Sequence, residues 1–257
     1  MNRLPSFTIA DYRRLLEAVI GRGYSFRPVV SMNEGRSRSV YLRHDVDFSV
    51  AHAVGMAEAE NLLGVSSTYY LLLTGPYNVF SGSASKAVRV LAALGHEIGL
   101  HYDLKLYPGS PGEAAGRLHK EIEILEFVAG APVKTIVMHE PFLDNRDIFL
   151  EQPGLVNPSF YNKNDPGLIY ISDSCRAWRD DRLLAFLRGE TPENRLHLNI
   201  HPESWLSDTK MHRIDYLDRV LMPAVLEEER KYFSETVKNV WMTHDAAVSG
   251  YGDEDED

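Results

Sequence analysis

Cysteine is almost absent: Cys175 is the only one among 257 residues. An internal disulfide is therefore impossible, and a zinc cluster built on thiolates is excluded. So few thiols suit a reducing compartment. Long hydrophobic runs are also lacking. No stretch approaches the ~18–20 continuous apolar residues of a membrane-spanning helix, and the N-terminus, MNRLPSFTIADY, has no apolar signal core. The expectation is a cytoplasmic protein without a transmembrane segment. Positive charge is scarce: 27 Lys and Arg stand against 37 Asp and Glu, a formal net charge of −10. Without a basic stripe such a chain is a poor partner for a phosphate backbone, so no nucleic acid is expected. The acidic run 253–257 reads as a solvated, disordered tail. There is no GxxxxGKS or GxxxxGKT phosphate loop, no GxGxxG opening a helix, no HExxH and no GxSxG elbow.

What is present is ordinary for a folded domain, with 44% hydrophobic and 25% charged residues, enough to bury a sizeable core. Six short apolar runs organise it. SVYLR is followed by His44, Asp45, Val46 and Asp47; HEIGL ends on His101, TIVM on His139, LIYIS on Asp173 and LHLNI on His201. The sixth, STYYLLL, ends on Thr74 and Gly75. Helical stretches separate most of them. The first has Thr8 as N-cap, Asp11 in its first turn, and Tyr12, Leu15, Leu16, Val19 and Ile20 on one face. Others are expected over about Val50 to Leu63, Ser83 to Leu94, from Ser110 and Pro111 onward, near Arg182 to Leu187, and from about His212 to Val237. Glu140 to Gly167 reads as one long loop, and NVWMTHD as either a strand or a helix end. Repeated βα units imply parallel strands with helices outside. We expect an α/β chain, a single-domain distorted (β/α) barrel of about six or seven parallel strands over residues 1–252.

Such a barrel gathers the C-terminal ends of its strands around one cavity. Asp45 and Asp47, two apart, share a side if the strand continues through them. One carboxylate would then bind a cation and the other take a proton from water; the bland reading is a capping Asp and a surface Asp. A lone histidine more often satisfies a local hydrogen bond than binds metal. His96, before its run, reads as structural. His101, with Asp103 as a partner to orient it, is the better ligand candidate. His139 and His201 follow their runs in the same way. Tyr102, Phe142 and Trp205 lie near strand ends, where aromatics pack by default but also line sugar clefts.

Together RHDVD, GHEIGLHYD, MHEPF and LNIH resemble, in order, the motifs of the polysaccharide deacetylase family (NodB-homology, carbohydrate esterase type), over about Ser39 to Trp205. GHEIGLH is close to the family's GHEIGNH, RHDVD is similar to TFDDG, MHEPF lies where the family has RxPY, and LNIH matches LxxH. The combination looks most like an O-antigen-biosynthesis, WbmS-like branch. The resemblance implies one divalent metal ion, often zinc, and removal of acetyl from an N-acetylated sugar of surface polysaccharide; the expected cytoplasmic location favours a nucleotide- or lipid-linked precursor. It implies Asp45 as the base toward water, Asp47 and His101 as metal ligands, and His201 as the acid for the leaving amine. Asp173 would orient neighbours, and the Phe142 N–H would face the oxyanion; Tyr102 and Trp205 are the aromatic candidates for the sugar. Two positions depart from the pattern. Lys105 stands where a second ligand histidine is expected, and a protonated lysine repels a cation. His139 replaces the arginine of RxPY, so His139 is expected to supply the missing ligand, with Asp45 left as either base or ligand. Two other readings stay open: a non-catalytic sugar-binding or assembly protein on this fold, and a metal-dependent hydrolase of a different bond.

Overall fold

A computed structural model describes residues 3–141, 147–205 and 211–248; Phe142 and the tail 253–257 lie outside the described residues. The chain divides into two compact units, Met1–Lys210 and Met211–Asp257. In the first, α1 (Ile9–Gly21) starts where Thr8 Oγ1 accepts the Asp11 N–H at 3.0 Å, satisfying an amide the helix itself leaves unpaired. Tyr12, Leu15, Leu16 and Val19 are buried along one face, whereas Ile20, at the edge of that stripe, is exposed. Then come β1 (Ser25–Arg27), β2 (Ser39–Val46), α2 (Val50–Leu62), β3 (Thr68–Leu72), α3 (Gly82–Ala93), β4 (Glu97–Tyr102) and α4 (Pro111–Ala129). They are followed by β5 (Ile136–Met138), α5 (Pro158–Asn164), β6 (Leu168–Ser172), α6 (Arg182–Arg188) and β7 (Arg195–Ile200). The second unit is helical, with α7 (Arg213–Tyr216), a π turn at Leu217–Leu221 and α8 (Met222–Val248), so NVWMTHD belongs to a helix. No helix among the described residues is long and apolar enough to cross a membrane.

All seven strands are parallel, in the order β5-β4-β3-β2-β7-β6, with β1 alongside the first residues of β2. This is a distorted (β/α) barrel that stays open. β5 and β6 are its edges, and no ladder joins them among the described residues. Within the Glu140 to Gly167 segment read as a loop, Asn157 caps and Pro158 opens the short helix α5.

Alternation along β2 creates two environments. Val40 and Leu42 face the helices, in a core shared with Tyr12, Leu15, Leu183 and Leu198; Leu71, Leu100 and Ile136 join a second core with residues of α3 and α4. Each fully buried leucine contributes roughly 1.5–3 kcal/mol. His44 also faces the helices, where its Nε2 lies 2.7 Å from Glu60 Oε1. Ser67 links the other Glu60 oxygen (2.6 Å) to His96 (2.9 Å), so His96 is structural, as expected. The opposite face of β2 carries Tyr41, Arg43 and Asp45 into the curl of the sheet. Space there is tight. A Cβ on Gly99 would lie 2.5 Å from the Tyr70 ring and 2.7 Å from Thr135 Oγ1.

Candidate active site

Parallel strands bring their C-terminal ends to one side. β2 carries Asp45, with Asp47 one residue beyond its end; β4 carries His101, and His139, Asp173 and His201 follow β5, β6 and β7 directly. Three donor atoms from this set converge. Asp47 Oδ1 is 3.4 Å from His101 Nε2 and 3.5 Å from His139 Nδ1, and the two imidazole nitrogens are 3.2 Å apart. His101 Nδ1 lies 3.0 Å from the Val137 carbonyl. A carbonyl only accepts, so Nδ1 carries the proton and Nε2 presents a lone pair. Burial pushes the His101 pKa down, and the charges of Asp45 and Asp47 oppose it.

Asp47 Oδ1 is buried without a hydrogen-bond partner among the described residues. An ion about 2.0–2.1 Å from each donor in a tetrahedral site would space those donors roughly 3.3–3.4 Å apart, close to the separations seen. A carboxylate oxygen with two imidazole nitrogens suits a divalent ion such as zinc. The residues present therefore fit a metal, and Asp47, His101 and His139 would hold it. Lys105 does not compete for that position: its Nζ is 2.5 Å from Glu140 Oε2 and 3.7 Å from Asp103 Oδ2. Asp103, expected behind His101, also accepts the Lys105 N–H; the Val137 carbonyl orients His101 instead.

Asp45 is tied down by a residue that sequence reasoning missed. Arg43 Nε and Nη2 each donate to its carboxylate at 2.6 Å, and Asn199 Nδ2 donates at 3.0 Å. Burial alone would raise this carboxyl pKa; Arg43, then His101 and His201, reverse that and hold it well below the ordinary range. Both oxygens are engaged, which leaves Asp47 as the carboxylate of the candidate ligand set. Asp45 Oδ2 lies 3.9 Å from His101 Nε2 and 3.8 Å from His201 Nε2, between the ligands and the last histidine. The signal for Arg43 was in the sequence: it sits two residues before Asp45, hence on the same face. Asn199 bears the same relation to His201.

His201 is backed by Asp173, whose Oδ1 lies 2.6 Å from Nδ1 and accepts the His201 N–H at 3.0 Å. The other Asp173 oxygen accepts Trp205 Nε1 at 2.8 Å. Burial pushes the imidazole pKa down, but the Asp173 hydrogen bond and charge, joined by Asp45, carry it well above the usual histidine value. Glu203, also missed, is buried nearby, and burial followed by the Asp47 charge pushes its carboxyl well above the carboxylate range.

Two expected substrate contacts are corrected. Tyr102 is fully buried against Tyr107 and Phe149, its hydroxyl bonded to Asp147; the residue after His101 on a strand must face the other way. Trp205 is buried among Phe7, Tyr12 and Trp178, with its only polar hydrogen on Asp173. Neither offers a face to a sugar.

No protein-family model and no curated protein sequence matches the chain. Among solved structures it is similar to a CE4-family pseudoenzyme from Bacillus anthracis, with 13% identity, a TM-score of 0.41, and coverage of 74% of this chain and 60% of that one. It is similar to a family 4 carbohydrate esterase from Bacillus anthracis at 13% identity and TM-score 0.39, over 74% and 76% of the two chains. It is also similar to the peptidoglycan deacetylase PdaC from Bacillus subtilis at 13% identity and TM-score 0.42, over 79% and 96%. The chain spans less than two thirds of the pseudoenzyme it matches. Likeness this slight assigns no activity, so the functional reading rests on the side chains.

Proposed function

We propose that this protein is a metal-dependent carbohydrate deacetylase, a hydrolase that removes the acetyl group from an N-acetylated sugar. The observation that carries the reading is the meeting of Asp47 Oδ1, His101 Nε2 and His139 Nδ1 within 3.2–3.5 Å of one another, beside a histidine, His201, backed by Asp173 at 2.6 Å. Hydrolysing an amide needs both an activated water and an acid for the leaving nitrogen. A divalent ion bound by the three donors, zinc by donor type, would acidify water and polarise the acetyl carbonyl. Asp45 takes the water proton as the new C–O bond forms. Arg43 keeps that carboxylate ionised and oriented, and lowers its proton affinity at rest. His201 gives its Nε2 proton to the amide nitrogen as the C–N bond breaks, so acetate and a free amine leave. Asp173 holds the ring with Nε2 outward.

The sequence resemblance supports a sugar of O-antigen or another surface polysaccharide as the substrate class, and the lack of an apolar signal core in MNRLPSFTIADY favours a nucleotide- or lipid-linked precursor over finished polymer. Zinc-loaded protein incubated with N-acetylated sugars should release acetate. Asp45→Asn and His201→Ala should lower kcat about 10²–10⁴-fold while the metal stays bound. Phosphate or reducing-sugar release without acetate would replace this reading with hydrolysis of another bond. Sugar binding without turnover, indifferent to Asp47→Asn, would replace it with a binding protein.

A further inference from the structure

We infer that the Lys105–Glu140 ion pair positions His139 as the third metal ligand; the inference rests on the metal site proposed above. Lys105 lies in the short 3₁₀ turn Leu104–Leu106 after β4, and Glu140 follows His139 at the end of β5. Lys105 Nζ donates to Glu140 Oε2 at 2.5 Å, and the same oxygen is 4.0 Å from His139 Nε2. The His139 ring is thus bracketed. Its Nδ1 faces Asp47 and His101, and its Nε2 faces a carboxylate. An anion on that side favours the Nε2–H tautomer, which leaves the lone pair on Nδ1, where the ligand set needs it. The backbone of His139 is fixed separately, since its N–H donates to the Tyr102 carbonyl at 2.8 Å. That bond does not set the rotation of the ring.

A second observation points the same way. Glu140 has φ +46°, left-handed backbone in a residue that is not glycine. Such a conformation persists where neighbouring groups hold it, and it gathers at functional sites. Here it turns the chain so that the Glu140 carboxylate lies between the His139 ring and Lys105. Asp103, with Oδ2 3.7 Å from Nζ, is a second anion holding the ammonium in place. The Lys105 side chain is 48% exposed and that of Glu140 35%. Exposed pairs contribute little to folding stability, so the effect belongs in metal affinity. Neither residue would touch the ion; both are positioning residues.

The test is titration of zinc into the full, metal-stripped chain at fixed pH, against a competing chelator. Glu140→Gln and Lys105→Met should each weaken zinc about 10–100-fold, and Lys105→Arg should keep near-wild-type affinity. The exchange Lys105→Glu with Glu140→Lys keeps an ion pair but puts an ammonium behind His139. Its affinity should stay as weak as that of Glu140→Gln. Wild-type affinity in the two single variants, or full recovery in the exchange, would overturn the inference while leaving the metal site standing. A wild-type chain that takes up no zinc would instead sink the metal reading, and the inference with it.

Discussion

Arg43 and Asp45 are buried two residues apart on one strand, joined by two hydrogen bonds. Removing the guanidinium would strand a carboxylate out of water, so Arg43→Met is expected to cost about 3–5 kcal/mol in urea unfolding at neutral pH. A loss within the scatter of surface substitutions would show that the pair is solvated. The folded pKa of Asp45 is depressed below 3.8, so its stabilisation is present above that pH and is lost as pH falls. His201 has the opposite sign. Its folded pKa lies well above 6.5, so its contribution is complete below 6.5 and is lost as pH rises through the folded value. The acid form is also the one the proposed chemistry uses. Acetate release should therefore fall on the alkaline side, and Asp173→Asn should move that limb to lower pH. An alkaline limb unmoved by Asp173→Asn would assign it to another group.

Among the elements, β4 joins the interior packing to the candidate metal site. Gly99, two residues before His101, lies against the Tyr70 ring and Thr135, and Tyr70 lies beneath Arg43, whose guanidinium carbon is 5.3 Å from the ring centroid. Gly99→Ala should push this stack apart, costing about 1–3 kcal/mol and weakening zinc binding. Unchanged stability would mean that Tyr70 moves freely. The βα order was legible in the sequence because apolar runs and helix caps repeat it: Thr8 and Ser110 cap the helices expected of them. β1, at three residues, is too short for alternation to register, and α5 was hidden inside a segment whose proline and asparagine also suit a loop. The strand-end histidines and aspartates were legible by position. What they bond to was not: Val137 behind His101 is a backbone carbonyl on a neighbouring strand, which no residue pattern announces. Tyr102 and Trp205 were misread because nearness to a strand end says nothing about which face a side chain takes.

For the whole molecule, the candidate ligands, Asp45, Asp173 and His201 all fall within Met1–Lys210, as do the seven strands among the described residues. A chain ending at Lys210 is expected to fold and to bind zinc like the full one, read by circular dichroism and metal titration. Loss of folding on that truncation would show that the second unit is needed for the first. The site joins residues far apart in the sequence, as the Asn199–Asp45 bond illustrates with a separation of 154, and only the parallel sheet brings them together. The proposed chemistry requires a divalent ion held by three of them, Asp47, His101 and His139. Anomalous scattering from crystals grown with zinc tests it most directly. One peak per chain, within bonding distance of Asp47 Oδ1, His101 Nε2 and His139 Nδ1 and lost in Asp47→Asn, is the predicted result. No peak there at full zinc, or one bound by other residues, would contradict it.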